Sequence, residues 1–92
     1  MSTQVRNNEA ESRFETTVDG HLAVAEYFLG DGRITFTHTE VPEQLEGQGI
    51  GKALAKAALD HARAKNLKVV PQCRFIAGYI ERNQEYQDLV AE

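Results

Sequence analysis

Disulfide bonds within the chain are excluded, because its 92 residues include a single cysteine, Cys73. The apolar runs are far shorter than the roughly 20 residues that a membrane-spanning helix needs, so we expect no membrane partner. The first residues carry neither a basic segment nor an apolar one, and we therefore expect no secretory signal. A short chain without disulfides fits a reducing compartment, which predicts a cytoplasmic protein.

An excess of positive charge is also absent, since the net charge is -4. This balance argues against nucleic acid as a general partner. The charge is uneven along the chain: residues 1–46 carry three basic and nine acidic residues, whereas residues 47–92 carry seven basic and five acidic ones. A small anionic ligand would meet the more favourable field in the second half, and the acidic first half suits a cationic substrate. The alternative is that both halves are ordinary solvated surfaces.

Repeats, linkers and low-complexity tracts are missing as well, and the length suggests one domain. Residues 1–12 are polar and without periodicity, so they are predicted to form a loose N-terminus before a domain at residues 13–92. Three runs of strand-like alternation follow, at residues 13–18, 21–29 and 33–41. The turn sequences Asp19-Gly20 and Gly30-Asp31-Gly32 separate them. The pattern predicts an antiparallel meander of three strands.

A proline and a change of period mark the second half of the chain. Pro42 ends the third strand because proline lacks a backbone donor. Apolar residues recur at helical spacing over residues 50–65, and the run at 67–70 predicts a strand parallel to the third one. Residues 75–82 predict a short helix, and Asn83 is a suitable N-cap for a last one. The predicted class is α/β, more narrowly α+β: a meander, a strand–helix–strand unit and short C-terminal helices.

A glycine-rich loop at residues 46–52 follows a strand and opens a helix, which is the context of a phosphate cradle. Glycines let the backbone approach an anion, and the free N–H groups of the first helical turn point at it. The alternative is a loop that merely needs turns. A dinucleotide-binding fold is disfavoured because an antiparallel meander precedes the glycines. A P-loop is excluded because no Gly-Lys-Ser/Thr occurs.

The residues around this loop carry a resemblance to a known family. Residues 41–54, VPEQLEGQGIGKAL, resemble motif A of the GCN5-related N-acetyltransferases, Arg/Gln-x-x-Gly-x-Gly/Ala. A small single-domain branch of that family also has His-Thr-Glu-Val before the loop, Pro-x-Cys after the next strand and Asn/His-x-Glu-Tyr near the end. These elements stand here at residues 38–41, 71–73 and 83–86. The resemblance covers residues 14–90 and implies a minimal, truncated form of the family's fold.

The resemblance implies that acetyl-coenzyme A binds as a substrate, with its diphosphate on the backbone of motif A and its pantetheine arm along the preceding strand. A backbone amide near Val41 would polarise the thioester carbonyl, and the acetyl group would move to an amine. Glu46 departs from the motif, because a carboxylate replaces its Arg or Gln. The implied cofactor-binding residues are Thr39, Val41, Glu46, Gly47, Gln48, Gly49, Ile50, Gly51, Lys52 and Asn83.

Three residues are candidates for catalysis: Cys73, His38 and Glu40. The resemblance implies that the strands before Cys73 and around His38 separate where the thioester enters, so these two residues are expected to flank the reacting carbon. A thiolate can take an acyl group, and an imidazole can remove the thiol proton. Glu40 would orient His38 or accept a proton. The alternatives are a small buried cysteine and a core histidine that shares a strand face with Phe36.

The other histidines and two tyrosines are not first candidates for catalysis or metal binding. The remaining histidines, His21 and His61, have no cysteine or carboxylate at metal-ligand spacing, so no metal site is predicted. Tyr79 and Tyr86 have the spacing of packing residues, with protonation of the leaving thiolate as a second role for Tyr79.

Three functions remain open on the sequence. The first is an acetyl-coenzyme A-dependent acyltransferase whose acceptor is an amine, on a protein or peptide, because the family's extra elements that wall the acceptor site are missing. The second is a coenzyme A-binding module with little activity, and the third is a peptide-interaction domain. The chain is expected to be a monomer or a weak dimer.

Overall fold

The computed structural model describes residues 4–91, and within them five strands form one sheet in the order β1-β2-β3-β4-β5. The strands are β1 (Arg6–Asn8), β2 (Arg13–Val18), β3 (His21–Gly30), β4 (Arg33–Glu40) and β5 (Lys68–Pro71). The helices are α1 (Ile50–Ala64) and α2 (Arg74–Arg82), with short 3-10 helices at Glu9–Glu11, Glu43–Leu45 and Gln84–Leu89. Neither α1 nor α2 has the length and apolar character needed to cross a membrane.

The predicted meander is confirmed, because β2, β3 and β4 pair antiparallel in sequence order. Both hairpins turn on two residues with positive φ, Asp19 and Gly20 in the first and Asp31 and Gly32 in the second. Two consecutive residues of this kind give the turn that matches the right-handed twist of paired strands. The predicted parallel strand is also confirmed, since β5 pairs with β4 in parallel after the crossover through α1.

The N-terminal segment differs from the prediction of a loose lead-in. Residues 1–3 of that segment lie outside the described residues, but β1 pairs antiparallel with β2 and adds an edge strand to the sheet. Side-chain bonds hold it there: Tyr27 donates its phenol hydrogen to Asn7 Oδ1 at 2.6 Å. The strand was missed because Arg6, Asn7 and Asn8 show no apolar alternation.

A β-bulge at Thr37 reverses the alternation of side chains within β4. Tyr27 of β3 pairs with Phe36 while its neighbour Glu26 pairs with His38, so Thr37 is an extra residue without a partner in β3. One extra residue moves all later side chains to the opposite face. The prediction that His38 shares a face with Phe36 is therefore wrong.

Both α-helices cover one face of the sheet, where the core lies. Alternate residues of β3, Ala23, Ala25 and Tyr27, point into this core together with Phe36. The core also contains a run of buried residues from α1 and two from α2: Ile50, Leu54, Ala55, Ala58, Leu59, Ala62, Ile76 and Ile80. We call the opposite side of the sheet the open face, since neither α1 nor α2 packs on it.

The C-terminal segment returns to the sheet as a 3-10 helix, where the sequence predicted a regular helix capped by Asn83. The Asn83 side chain caps nothing after it, because its Nδ2 donates back to the Tyr79 carbonyl oxygen at 2.8 Å. Tyr86 anchors the segment to α1 by donating to Asp60 Oδ1 at 2.7 Å. Burial, and then this bond to the Asp60 carboxylate, raise the pKa of Tyr86 above its ordinary value.

Candidate functional site

The glycine loop of the predicted phosphate cradle is built by local backbone rules. Gly47 and Gly49 have φ of 82° and 75°, in the left-handed region that favours glycine. Gly49 is the N-cap of α1 and has no side chain to cap it, and the first helical bond runs from the Ala53 N–H to the Gly49 oxygen at 3.0 Å. The amides of residues 50–52 therefore precede the helical ladder, which leaves them for a ligand.

A shallow cavity of about 340 Å³ lies at this end of α1. It brings together seven of the predicted cofactor-binding residues: Val41, Glu46, Gly47, Gly49, Ile50, Gly51 and Lys52. A Cβ added at Gly47 or Gly49 would meet no atom within 4 Å, so the space beside the loop can accept an anion. The volume is at the lower end of the range for ligand pockets, about 300–1,000 Å³, so an elongated ligand would extend beyond it.

Three predicted cofactor residues are not part of this cavity. Gln48 turns its side-chain amide to the Gln44 carbonyl oxygen at 3.4 Å. Thr39 lies farther back along β4, and Asn83 stands at the opposite end of α2 from the cavity. Contacts of these three with a cofactor stay predictions.

Phe75 lines the cavity and was missed by the sequence analysis. It belongs to the first turn of α2 and is 36% exposed. Its ring lies over Gly51 so closely that a Cβ at Gly51 would come within 2.7 Å of Phe75 Cζ. Because Gly51 has no side chain, the Phe75 ring can form one wall of the cavity. The third glycine of the loop was the only feature of the sequence that pointed to this close contact.

Cys73 lies where β4 and β5 separate, as the resemblance implied. The last paired residues are Phe36 and Pro71, after which the Cys73 N–H donates to the Phe36 oxygen at 2.9 Å and α2 begins. The thiol is buried, with 8% exposure, and donates to Thr39 Oγ1 at 3.2 Å. Cys73 and Thr39 therefore share the helix-covered face of the sheet.

His38 and Glu40 form a pair on the open face. His38 Nε2 is 3.3 Å from Glu40 Oε1, and the two side chains are 56% and 71% exposed. Because the bulge directs them away from the core, His38 and Cys73 lie on opposite faces of the sheet, and their expected positions on either side of the reacting carbon stay a prediction. A proton acceptor and a thiol approach the gap between β4 and β5 from opposite sides.

The tyrosines of the C-terminal half have structural partners. Tyr86 donates to Asp60, which also pairs with Lys56 of α1 at 2.8 Å. The Tyr79 and Tyr86 rings are 6.0 Å apart, which fits the prediction of packing roles. Among residues 4–91, no group of three His, Cys, Asp or Glu side chains is arranged to hold a metal ion.

Comparisons with known proteins agree on one family. The model of the GCN5-related N-acetyltransferase family matches residues 13–89. Protein NATD1 of Xenopus tropicalis is 34% identical over 85 residues, covering 89% of this chain and 78% of that protein. Protein NATD1 of Gallus gallus is 36% identical over 83 residues, covering 87% and 76%.

A solved structure shares the fold. It is the solution structure of a GCN5-like candidate N-acetyltransferase from Staphylococcus aureus, with a TM-score of 0.74 and 35% sequence identity. The similarity covers 96% of this chain and 87% of that one.

Proposed function

The chain belongs to the GCN5-related N-acetyltransferase family, and from this premise we propose that it binds acetyl-coenzyme A and transfers the acetyl group to an amine. The family generally uses acetyl-coenzyme A, which supplies an activated thioester carbonyl. The observation that supports this function best is the glycine loop, where the amides of residues 50–52 lie outside the helical ladder beside a cavity.

The cradle fits a diphosphate in charge as well as in shape. The amides of residues 50–52 and the positive end of the α1 dipole attract an anion, and Lys52 adds a full positive charge at the cavity. Glu46 also lines the cavity and opposes this attraction. Phe75 and Val41 offer apolar surface to the arm that follows the diphosphate.

The simplest chemistry is direct attack by the acceptor amine. His38, oriented by Glu40, takes the proton that the amine must lose, the amine nitrogen bonds to the thioester carbon, and the carbon–sulfur bond breaks. The released thiolate then takes a proton from solvent or from the protein. The His38–Glu40 pair is favoured for this role because it is exposed to an acceptor that arrives on the open face.

A relay through Cys73 is the second route. The Cys73 sulfur would bond to the thioester carbon as the bond from that carbon to the coenzyme A sulfur breaks, and the thiol proton would pass to the released coenzyme A thiolate. The amine nitrogen would then bond to the acetyl carbon and lose a proton, and the Cys73 thiol would be regenerated. The position of Cys73 at the strand separation favours this route. The route is ruled out if Cys73→Ala transfers acetyl groups at the wild-type rate.

Ligand-dependent stability tests the cofactor assignment. At about 100 times its Kd, acetyl-coenzyme A should stabilise the protein by about 2.7 kcal/mol, a shift of roughly 10 °C or more for a domain of this size. ATP and NAD at the same concentration should give much smaller shifts. No shift with millimolar acetyl-coenzyme A would contradict the proposal and would favour a peptide-interaction domain.

Two lysines of α1 provide a matched pair of variants. Lys52→Glu reverses a charge at the cavity and should weaken acetyl-coenzyme A binding about tenfold or more, because a charge-assisted hydrogen bond contributes about 1.5–3 kcal/mol. Lys65→Glu reverses a charge at the opposite end of the same helix and should leave the affinity unchanged. Titration calorimetry measures the affinity of both variants, and equal effects would place the ligand elsewhere.

A wild type that binds acetyl-coenzyme A but acetylates no amine would be a coenzyme A-binding module.

A further inference from the structure

We propose that the open face of the sheet docks the acceptor, and that the acceptor is a lysine within an extended basic segment that carries an apolar residue beside it. This inference rests on the proposed function and assigns the class of its second substrate. It follows from the apolar residues of β3, from two carboxylates beside the proposed base and from the spacing between them.

The apolar part of the surface comes from β3. The side chains of Leu22, Val24 and Phe28 alternate with the core residues of this strand and therefore point to the open face. Phe28 is 55% exposed and Leu22 is 43% exposed, whereas Val24 between them is buried. Large exposed apolar side chains that share one face are typical of a contact surface. They offer an incoming segment an aromatic contact that no described helix uses.

The acidic part of the same face consists of Glu26, between Val24 and Phe28 on β3, and Glu40 at the end of β4. Glu26 is directly opposite His38 in the ladder, and Val24 is opposite Glu40. Within residues 4–91, Glu26 forms no ion pair, because Arg13 across from it binds Glu15 at 2.8 Å instead. Two carboxylates thus lie beside the proposed base: Glu26, which has no ion pair among these residues, and Glu40, which contacts His38. An ammonium group is the natural complement of this arrangement.

The spacing of the two parts defines the segment that fits. Phe28 is opposite Thr35, three residues before His38 along β4. Since strand residues advance by about 3.3 Å each and Thr37 is bulged, the aromatic ring and the base are roughly 7–10 Å apart along the strand. An extended segment covers that distance in two or three residues. A lysine at the base therefore places a neighbour two or three positions away on Phe28.

Peptide binding to the full chain tests the proposal without depending on chemistry. The probe is a short capped peptide with a central lysine, leucines two and three positions away and a second lysine at one end. Fluorescence anisotropy of the labelled peptide gives its Kd. The comparison peptide has glutamate in place of the second lysine, and it should bind about tenfold more weakly, since like charges then meet.

Two neighbouring residues of β3 supply the matched variants. Phe28→Asp changes an exposed residue on the open face, whereas Leu29→Asp changes the next residue, which is 57% exposed and points to the other side. Phe28→Asp should raise the peptide Kd about tenfold, as expected for a central aromatic contact, and Leu29→Asp should leave it unchanged. Glu26→Lys should also raise the Kd about tenfold. Turnover of a small primary amine should stay within about twofold of wild type in Phe28→Asp and Leu29→Asp.

Three results would overturn the docking surface. They are equal weakening by Phe28→Asp and Leu29→Asp, equal affinity for the two peptides, or a dimer in sedimentation velocity that Phe28→Asp dissociates, since the face would then bind a second copy. Acetyl-coenzyme A affinity, measured in the same samples, separates this failure from that of the proposed function. A wild type that binds the lysine peptide through Phe28 but not acetyl-coenzyme A would refute the transferase and retain the surface.

Discussion

Glu15 shows how single side chains secure a strand that the sequence conceals. Its carboxylate accepts hydrogen bonds from Arg13, from Asn8 and from Arg6, and so it connects β1 to β2. The bond from Arg13, followed by that from Asn8, lowers the pKa of Glu15 from its ordinary 4.5 to about 2. The edge strand β1 is therefore held by ionic hydrogen bonds to Glu15 that exist only in the folded protein.

This shift predicts a pH dependence of stability. A carboxyl with a lowered pKa in the folded state contributes stability above its unfolded value, and that contribution is lost as pH falls through the folded value. Glu15→Gln should therefore be less stable than wild type at pH 7, and the difference should close between pH 4.5 and about 2. Urea unfolding across this range measures the difference. Glu81→Gln, at an exposed position of α2, is the control, and a difference that does not change with pH would contradict the assignment.

At the scale of elements, the bulge in β4 decides which side chains meet. It directs Thr39 to Cys73 on the helix-covered face and directs His38 and Glu40 to the open face. A regular strand would have buried the histidine and the glutamate in an apolar core, at a large cost in desolvation. The bulge thus gives the same short strand a thiol partner on one side and an exposed acid–base pair on the other.

The sequence predicts those elements whose signal lies in residues that are close together along the chain. Alternation from Phe14 onward, the Asp-Gly turns and the helical period after Gly49 each depend on neighbouring residues, and the structure confirms all three. The bulge at Thr37 depends on register between strands, which has no local signature. The contact of Phe75 with the glycine loop likewise has no local signature, because only the tertiary structure brings α2 against that loop.

The contact between Gly51 and Phe75 predicts a coupling between α1 and α2. Alanine at residue 51 should favour the helix by about 0.5 kcal/mol or more, but its Cβ would collide with the ring. Gly51→Ala should therefore stabilise the Phe75→Ala variant but not the wild type. Urea unfolding of the four proteins should give a coupling of about 1 kcal/mol. Simple additivity of the two changes would mean that the ring moves aside freely.

At the scale of the whole molecule, one layer of helices on one face of a sheet leaves a small core and a marginal stability. Globular domains have about 0.05–0.15 kcal/mol of stability per residue, which gives roughly 5–14 kcal/mol for this chain. Its radius of gyration is 12.4 Å, as expected for a compact domain. Binding at the end of α1 and stability of the core are then linked, because the ligand binds only the folded state.

Leu59 tests this linkage, since it is a fully buried residue of α1. Leu59→Ala should lower the free energy of unfolding by about 2–5 kcal/mol, a substantial part of the total, because it removes apolar contacts and leaves a cavity. Leu22→Ala, at a residue 43% exposed on the open face, should cost well under half as much. Acetyl-coenzyme A at about 100 times its Kd should restore about 2.7 kcal/mol to both variants, because both lie outside the cradle and keep its affinity. Denaturation curves with and without acetyl-coenzyme A measure the free energy of unfolding of each variant. If the ligand stabilised Leu22→Ala but not Leu59→Ala, the cradle would depend on the packing of the whole helix.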